Sequence, residues 1–283
     1  MKNKICPVCG SSLSVGVNSW HYVCRSCKYE YGDLTHSINK NNQMIDEDFR
    51  ASGLKSLRMS NFSILLDRIK KHKLSGRLLD VGCAHGWFLD KAKDLFDVSG
   101  LEPDVEIFNL TNSSRFNVKN GYFPEALDTN EKFDLIVFND VIEHIPNVGK
   151  ILEACRSHLN SRGVLILNLP SSSGFFYRAS KFLHLIGIES FFGRLWQKDF
   201  PSPHLHYFNF SNLNTLLLKY GFSIKERGRL PSLSSKGLFT RIKYAKQLGF
   251  LSAVVIYCLV LLITPILYML PSDIGYVIAF KNE

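Results

Sequence analysis

Arg77-Leu78-Leu79-Asp80-Val81-Gly82-Cys83-Ala84-His85-Gly86-Trp87-Phe88-Leu89 decides the reading of this chain, because an apolar run passes through glycines straight into a helical pattern. The run Arg77–Val81 predicts a buried strand, and Trp87 opens the helix that follows. Glycines at such a turn let a ligand lie against bare backbone, and the helix N-terminus offers free N–H groups to a carboxylate. Asp80, at the strand end, is placed to accept from an ammonium group. Twenty-two residues on, Leu101-Glu102-Pro103-Asp104 ends a second strand with an acid that can bridge two ribose hydroxyls.

Outward from this stretch, short apolar runs alternate with helical spacing. Strands are expected at Arg77–Val81, Val98–Glu102, Phe133–Phe138, Val164–Leu169, Phe222–Glu226 and Tyr276–Phe280. Helices are expected near Leu57–Lys73, Trp87–Leu95, Val148–Leu159 and Asn212–Tyr220. That alternation predicts an α/β fold, a Rossmann-like, doubly wound, mainly parallel sheet. With 283 residues and 46% apolar content there is room for one full domain and a small appendage, and no sign of a polytopic membrane protein.

A Gly-rich turn followed by an acid also serves NAD enzymes, so the order of the residues matters. Asp80-x-Gly82-x-x-x-Gly86, with the acid ahead of the first glycine, resembles motif I of class I S-adenosylmethionine-dependent methyltransferases. The resemblance continues in Phe133-Asp134-Leu135-Ile136-Val137-Phe138-Asn139-Asp140-Val141-Ile142-Glu143-His144-Ile145-Pro146, similar to the fourth motif of the ubiquinone-biosynthesis type. It runs through Gly163 to Pro170 and His206 to Phe222, covering roughly 60–226 in consistent order. It implies a seven-stranded sheet and a cofactor held by Asp80, Gly82, Cys83, Ala84, Gly86, Glu102, Pro103, Asn139 and Asp140. Ala84 stands where the family usually has glycine, which adds one methyl to a tight turn.

Methyl transfer from a sulfonium is an in-line displacement, so a hydroxyl acceptor needs alignment and a base. His144 is the first candidate for that base, with Glu143 beside it, just past the strand carrying Asn139 and Asp140. In the ubiquinone-type enzymes this stretch also binds a divalent metal, which would make Asp140, Glu143 and His144 the ligands. The competing reading is that Glu143 and His144 cap and pin a loop. His204 and His206 alternate on one face of an extended segment and are further catalytic or ligand candidates. The aromatic insertion Phe175 to Trp196 ahead of them reads as a lid over the substrate or as ordinary core.

Four of seven cysteines form two Cys-x-x-Cys pairs, Cys6/Cys9 and Cys24/Cys27, separated by 14 residues. Two such knuckles can close a tetrahedral four-thiolate shell around structural zinc. Cys83, Cys155 and Cys258 are scattered in apolar stretches. Similar N-terminal zinc modules occur in deoxysugar C-methyltransferases and in some ribosomal RNA guanine methyltransferases. Lys2 and Lys4 precede this motif without an apolar h-region, which predicts no secretory signal and a cytosolic catalytic part.

Net charge is +9, and Lys225 to Gln247 alone carries seven Lys/Arg against one Glu. Next to it, Leu248 to Leu270 is a run of 23 residues without charge, in which only Ser252 and Thr264 are strongly polar. As a helix it would reach about 34 Å, enough for a hydrocarbon core of about 30 Å. Arg241, Lys243 and Lys246 before it would stay cytosolic. Yet Gly275 to Phe280 looks like a final sheet strand, so a re-entrant hairpin kinked at Pro265 is the first expectation, ahead of a full span or a buried helix.

The expected organisation is therefore a zinc ribbon at 1–32, a linker at 33–56, a methyltransferase domain at 57–230 and 272–283, and a membrane-associating segment at 231–271. The expected activity is methylation, on oxygen, of a small or lipid-linked acceptor such as a glycan sugar or quinone-like ring, at the cytoplasmic face of a membrane. An RNA methyltransferase is the alternative. Against it, the basic residues sit beside an apolar run instead of interleaving with aromatics. A non-enzymatic, membrane-tethered zinc adaptor is the third reading.

Overall fold

The computed structural model describes residues 4–35, 47–111, 116–233, 238–239, 242 and 249–283. Arg241, Lys243 and Lys246 lie outside the described residues, as does the middle of the expected linker.

The catalytic half is a seven-stranded sheet of β4 (Arg77–Val81), β5 (Asp97–Glu102), β6 (Asn117–Asn120), β7 (Phe133–Asn139), β8 (Leu159–Pro170), β10 (Phe222–Leu230) and β11 (Ile274–Lys281). Its order is β10-β11-β8-β7-β4-β5-β6. Strands β5 to β8 run parallel to β4, while β11 is antiparallel to both neighbours. Period-2 alternation sends successive apolar side chains to opposite faces, so both faces are buried. Leu79, Ile136 and Phe138 pack on one side with α4 (Val148–His158) and α7 (Phe210–Lys219). Leu78, Leu135 and Val137 pack on the other with α1 (Glu47–Ile69) and α2 (Trp87–Ala92). The doubly wound expectation holds. The strand absent from the sequence reading is β6, an edge strand in which Val118 alone is buried.

Asn209 starts α7 with a capping box: its side chain accepts from Ser211 and Asn212 N–H, and the Asn212 amide oxygen accepts from Asn209 N–H. Helix α1 begins at Glu47, inside the stretch read as linker, and carries Arg58 and Phe62 to the sheet edge. The short α3 (Val105–Thr111) leads into β6.

The N-terminal unit is not a bead on a string. Its strands β1 (Leu13–Val15), β2 (His21–Cys24) and β3 (Glu30–Gly32) continue into β9 (His206–Tyr207) of the catalytic half, forming one four-stranded sheet. Glu30 pairs with Tyr207 and Tyr31 with His206. The insertion folds as α5 (Phe175–Leu185) and α6 (Ser190–Leu195). Its Tyr177, Phe192 and Trp196 are buried against Trp20 and Tyr207, as the core alternative expects, and they seat the N-terminal unit.

The apolar run forms α8 (Phe250–Met269), long and apolar enough to cross a membrane, with Ala253 its one buried residue. It continues through Pro265, so the expected hairpin at that proline is not formed, and it is no buried core helix either. Leu230 pairs with Ile274, which returns the chain to the sheet beside the strand it left.

Candidate active site

Strand β4 ends in the middle of the sheet, where connections diverge to β5 and β7 and open a crevice at the carboxyl ends of the strands. Gly82, Ala84 and Gly86 all adopt left-handed backbone there, with φ of 69°, 45° and 70°. A Cβ on Gly82 would stand 2.7 Å from Val141, so bulk at this position closes the crevice. Ala84 pays about 1 kcal/mol for a conformation glycine adopts freely, and Thr111 ties it down by donating to its carbonyl at 2.5 Å.

Asp80 is buried, and Asn139 Nδ2 donates to it at 3.3 Å. Burial pushes its carboxyl up to about 8, and the Glu102 charge adds to the shift. Glu102 accepts from Ala84 N–H and Asp104 N–H, both at 2.9 Å, and burial lifts it to about 6. Pro103 follows at the mouth. Cys83 is buried beneath the turn, its N–H bonded to Leu101 O. Asp140, left-handed at φ 55°, faces Arg58 at 3.7 Å. Arg58 and Phe62 of α1 complete the crevice wall, and Asn168 donates to Asn139 at 3.5 Å. No local motif assigns any of these three to the crevice, since their partners lie far away in sequence.

Beyond β7, a 3-10 turn (Ile142–His144) brings Glu143 and His144 against His204. Glu143 is fully buried, and among the described residues neither carboxylate oxygen has a hydrogen-bond partner. Its Oε1 is 4.0 Å from Nε2 of both His144 and His204. His144 Nδ1 must carry a proton to donate to Pro203 O at 2.9 Å, which leaves Nε2 as an acceptor in the neutral ring. Tyr207 gives its hydroxyl proton to Leu195 O, so its oxygen accepts from His204 Nδ1 at 3.3 Å, which leaves His204 Nε2 as an acceptor. Gln197 donates to that nitrogen at 2.9 Å. Burial, with the Asp140 charge in support, pushes Glu143 well above the usual carboxylate range. A buried carboxylate with no hydrogen-bond partner among the described residues, set beside two imidazoles, calls for a proton or a cation.

This corrects two expectations. Asp140 is not part of the cluster, whose ligand atoms lie within 4.8 Å of one another in Glu143, His144 and His204, because its carboxylate turns toward Arg58. His206 points away from the cluster: its Nδ1 meets Tyr29 Oη and its Nε2 meets Ile145 O at 2.8 Å. It is a buried strut under the four-stranded sheet. The segment bends at Leu205, whose N–H bonds Glu143 O and whose carbonyl accepts from Gly32, so alternation does not keep both histidines on one face.

The sulfurs of Cys6, Cys9, Cys24 and Cys27 also converge within 4.8 Å, with Cys6–Cys27 at 3.6 Å and Cys9–Cys24 at 3.4 Å. Ligands at about 2.3 Å in a tetrahedron stand roughly 3.8 Å apart, so this four-thiol set could hold zinc.

Comparison with known proteins agrees with the crevice. A model of the methyltransferase domain family matches residues 55–226, more than half of the chain. The chain belongs to that family, and its fold is that of S-adenosylmethionine-dependent methyltransferases. Among curated relatives, a ubiquinone biosynthesis O-methyltransferase of Rhodopseudomonas palustris is 28% identical over 104 residues, 33% of this chain and 40% of the relative. The chain thus matches less than half the length of the curated relatives. A possible histamine N-methyltransferase of Thermotoga maritima superposes with a TM-score of 0.54 at 16% identity, over 85% of this chain and 97% of that one. A SAM-dependent methyltransferase of Archaeoglobus fulgidus gives 0.51 at 18%, over 84% and 98%. With these two the likeness is one of fold.

Proposed function

We propose that the enzyme transfers the methyl group to an oxygen of a small or lipid-linked acceptor at the cytoplasmic face of a membrane. The observation that carries the oxygen is the convergence of Glu143, His144 and His204 beside the crevice. S-adenosylmethionine supplies an electrophilic methyl on a sulfonium. Asp80 takes the amino acid ammonium and Glu102 the ribose hydroxyls. His144 Nε2 removes the acceptor's proton as the oxygen attacks, its ring held for this by the Nδ1–H bond to Pro203 O. The same three side chains could hold a divalent cation once Gln197 turns away from His204 Nε2, and its Lewis acidity would lower the acceptor's pKa. The likeness to ubiquinone biosynthesis O-methyltransferases supports the same chemistry. His144→Ala and His204→Ala are each expected to cut turnover by about 10²-fold or more with cofactor affinity unchanged. Labelled methyl incorporation into hydroxyquinone, sugar and RNA acceptors reads it, and activity within a few-fold of wild type in both variants would reject the assignment.

The membrane reading rests on α8. A helix apolar all round and exposed along its length seeks lipid. Both strands flanking residues 231–273 lie in one sheet, and a single crossing would leave β11 on the wrong side. Lying within one leaflet satisfies both facts. Its last turn leads to Pro271–Asp273, where Asp273 accepts from Phe176 and Tyr177 N–H at the start of α5, on the active-site edge of the sheet. Attachment survives carbonate washing but not detergent, and full recovery in the soluble fraction would refute it. The four-cysteine unit is proposed to carry one structural zinc per chain.

A further inference from the structure

Between the cysteine unit and α5 lies an open cleft of about 490 Å³, away from the cofactor crevice. Lys28, Arg178 and Lys181 stand around it, with the Ser172 and Ser173 hydroxyls on the loop after β8. Among the described residues the one carboxylate in its wall, Glu30, is buried and already engaged. It accepts from His21 Nε2 at 2.6 Å, from Tyr177 Oη at 2.8 Å and from Lys181 Nζ at 2.9 Å on both oxygens. The polar end of the cleft therefore keeps a positive balance.

Its other end is apolar. Phe182 and Leu185 line it and are 63% and 71% exposed, too much for side chains of that size unless something covers them. The apolar surface runs on through Ile186, Ile188 and Phe191 in the turn to α6. One wall is shared with the candidate active site, since Tyr177 stacks on Tyr207 at 4.3 Å and Tyr207 holds His204. The first turn of α5 is bound to the chain leaving α8 through Phe175 N–H and Pro271 O at 2.9 Å.

We propose that this cleft binds the phosphate end of a lipid phosphate or diphosphate, with the cations on the head and the hydrocarbon lying over Phe182 and Leu185. Cations at one end, an apolar ramp at the other and attachment to the lipid-seeking helix fit an amphiphile better than either a free anion or a neutral lipid. The inference rests on the proposed lipid-proximal acceptor and names its chemistry.

The test is equilibrium binding to the full-length protein in neutral detergent, using farnesyl diphosphate, inorganic diphosphate and farnesol as probes. Farnesyl diphosphate is expected to bind at least tenfold more tightly than either fragment. The Lys28→Glu/Arg178→Glu pair and the Phe182→Ser/Leu185→Ser pair, all at or near the surface, should each weaken it at least tenfold while S-adenosylmethionine affinity stays within twofold. Diphosphate binding as tightly as farnesyl diphosphate would reduce the cleft to an anion site and overturn the proposal. Equal binding of farnesol, or no loss in either variant pair, would overturn it as well. Carbonate fractionation of the wild type reads α8 separately, so loss of membrane attachment with intact farnesyl diphosphate binding would fault the membrane reading and leave the cleft standing.

Discussion

Asp80 is a carboxyl whose burial lifts it to about 8, although its proposed partner is an ammonium. Below that value the empty site is largely neutral, and binding a cation must drive the proton off. Affinity for S-adenosylmethionine is therefore expected to rise with pH between 6 and 8, by up to about tenfold per unit, and to level off above 8. Asp80→Asn should abolish the slope; isothermal titration across this range reads it, and a flat wild-type profile would contradict the role. The sign for stability is opposite. The folded protein holds a proton that the unfolded chain releases near 3.9, so this contribution is full below that pH and lost as pH rises through about 8. Gly82→Val should abolish cofactor binding by driving a side chain into Val141, read by the same titration. Asp80, the glycines and Glu102 are legible in sequence because they sit within one strand-turn-helix unit and the next strand end. Arg58 and Asn168 are not, because distant segments bring them in.

At the scale of elements, β9 decides which histidine does what. One side of the segment is bonded to β3, the other to the 3-10 turn through Leu205 N–H and Glu143 O at 2.7 Å. His206, locked between Tyr29 and Ile145, is expected to behave differently from His204. His206→Ala should cost about 1–3 kcal/mol of stability, the scale for buried polar groups left unpartnered, with turnover of the remaining folded enzyme near wild type. Thermal melts and active-site-normalised kinetics separate the two, and a large rate loss with an unchanged melting temperature would restore His206 to the catalytic group. The period-2 pattern of His204 and His206 was a sound reason to place them together. It fails because Leu205 is claimed from both sides, a long-range pairing that no local pattern announces.

For the whole molecule, the question is whether the cysteine unit is an appendage or part of the catalytic body. Cys6, Val8, Cys24 and Tyr29 are buried in the same apolar cluster as Phe208, Leu213 and Leu216, and Trp20 packs on Trp196 with ring centres 5.6 Å apart. The Cys-x-x-Cys spacing reveals the unit but not its seat, because the seat is built from β9, α6 and α7, some 180 residues later in the chain. A module joined by a shared sheet and a shared core should melt with its host, as one cooperative transition. Metal held by the four cysteines in the folded state would stabilise that whole transition by mass action. Chelation is accordingly expected to lower a single calorimetric melting temperature, to shift tryptophan fluorescence as Trp20 and Trp196 separate, and to depress turnover through β9 and His204. Two transitions, with only the smaller one sensitive to chelator and activity intact, would show an independent appendage instead.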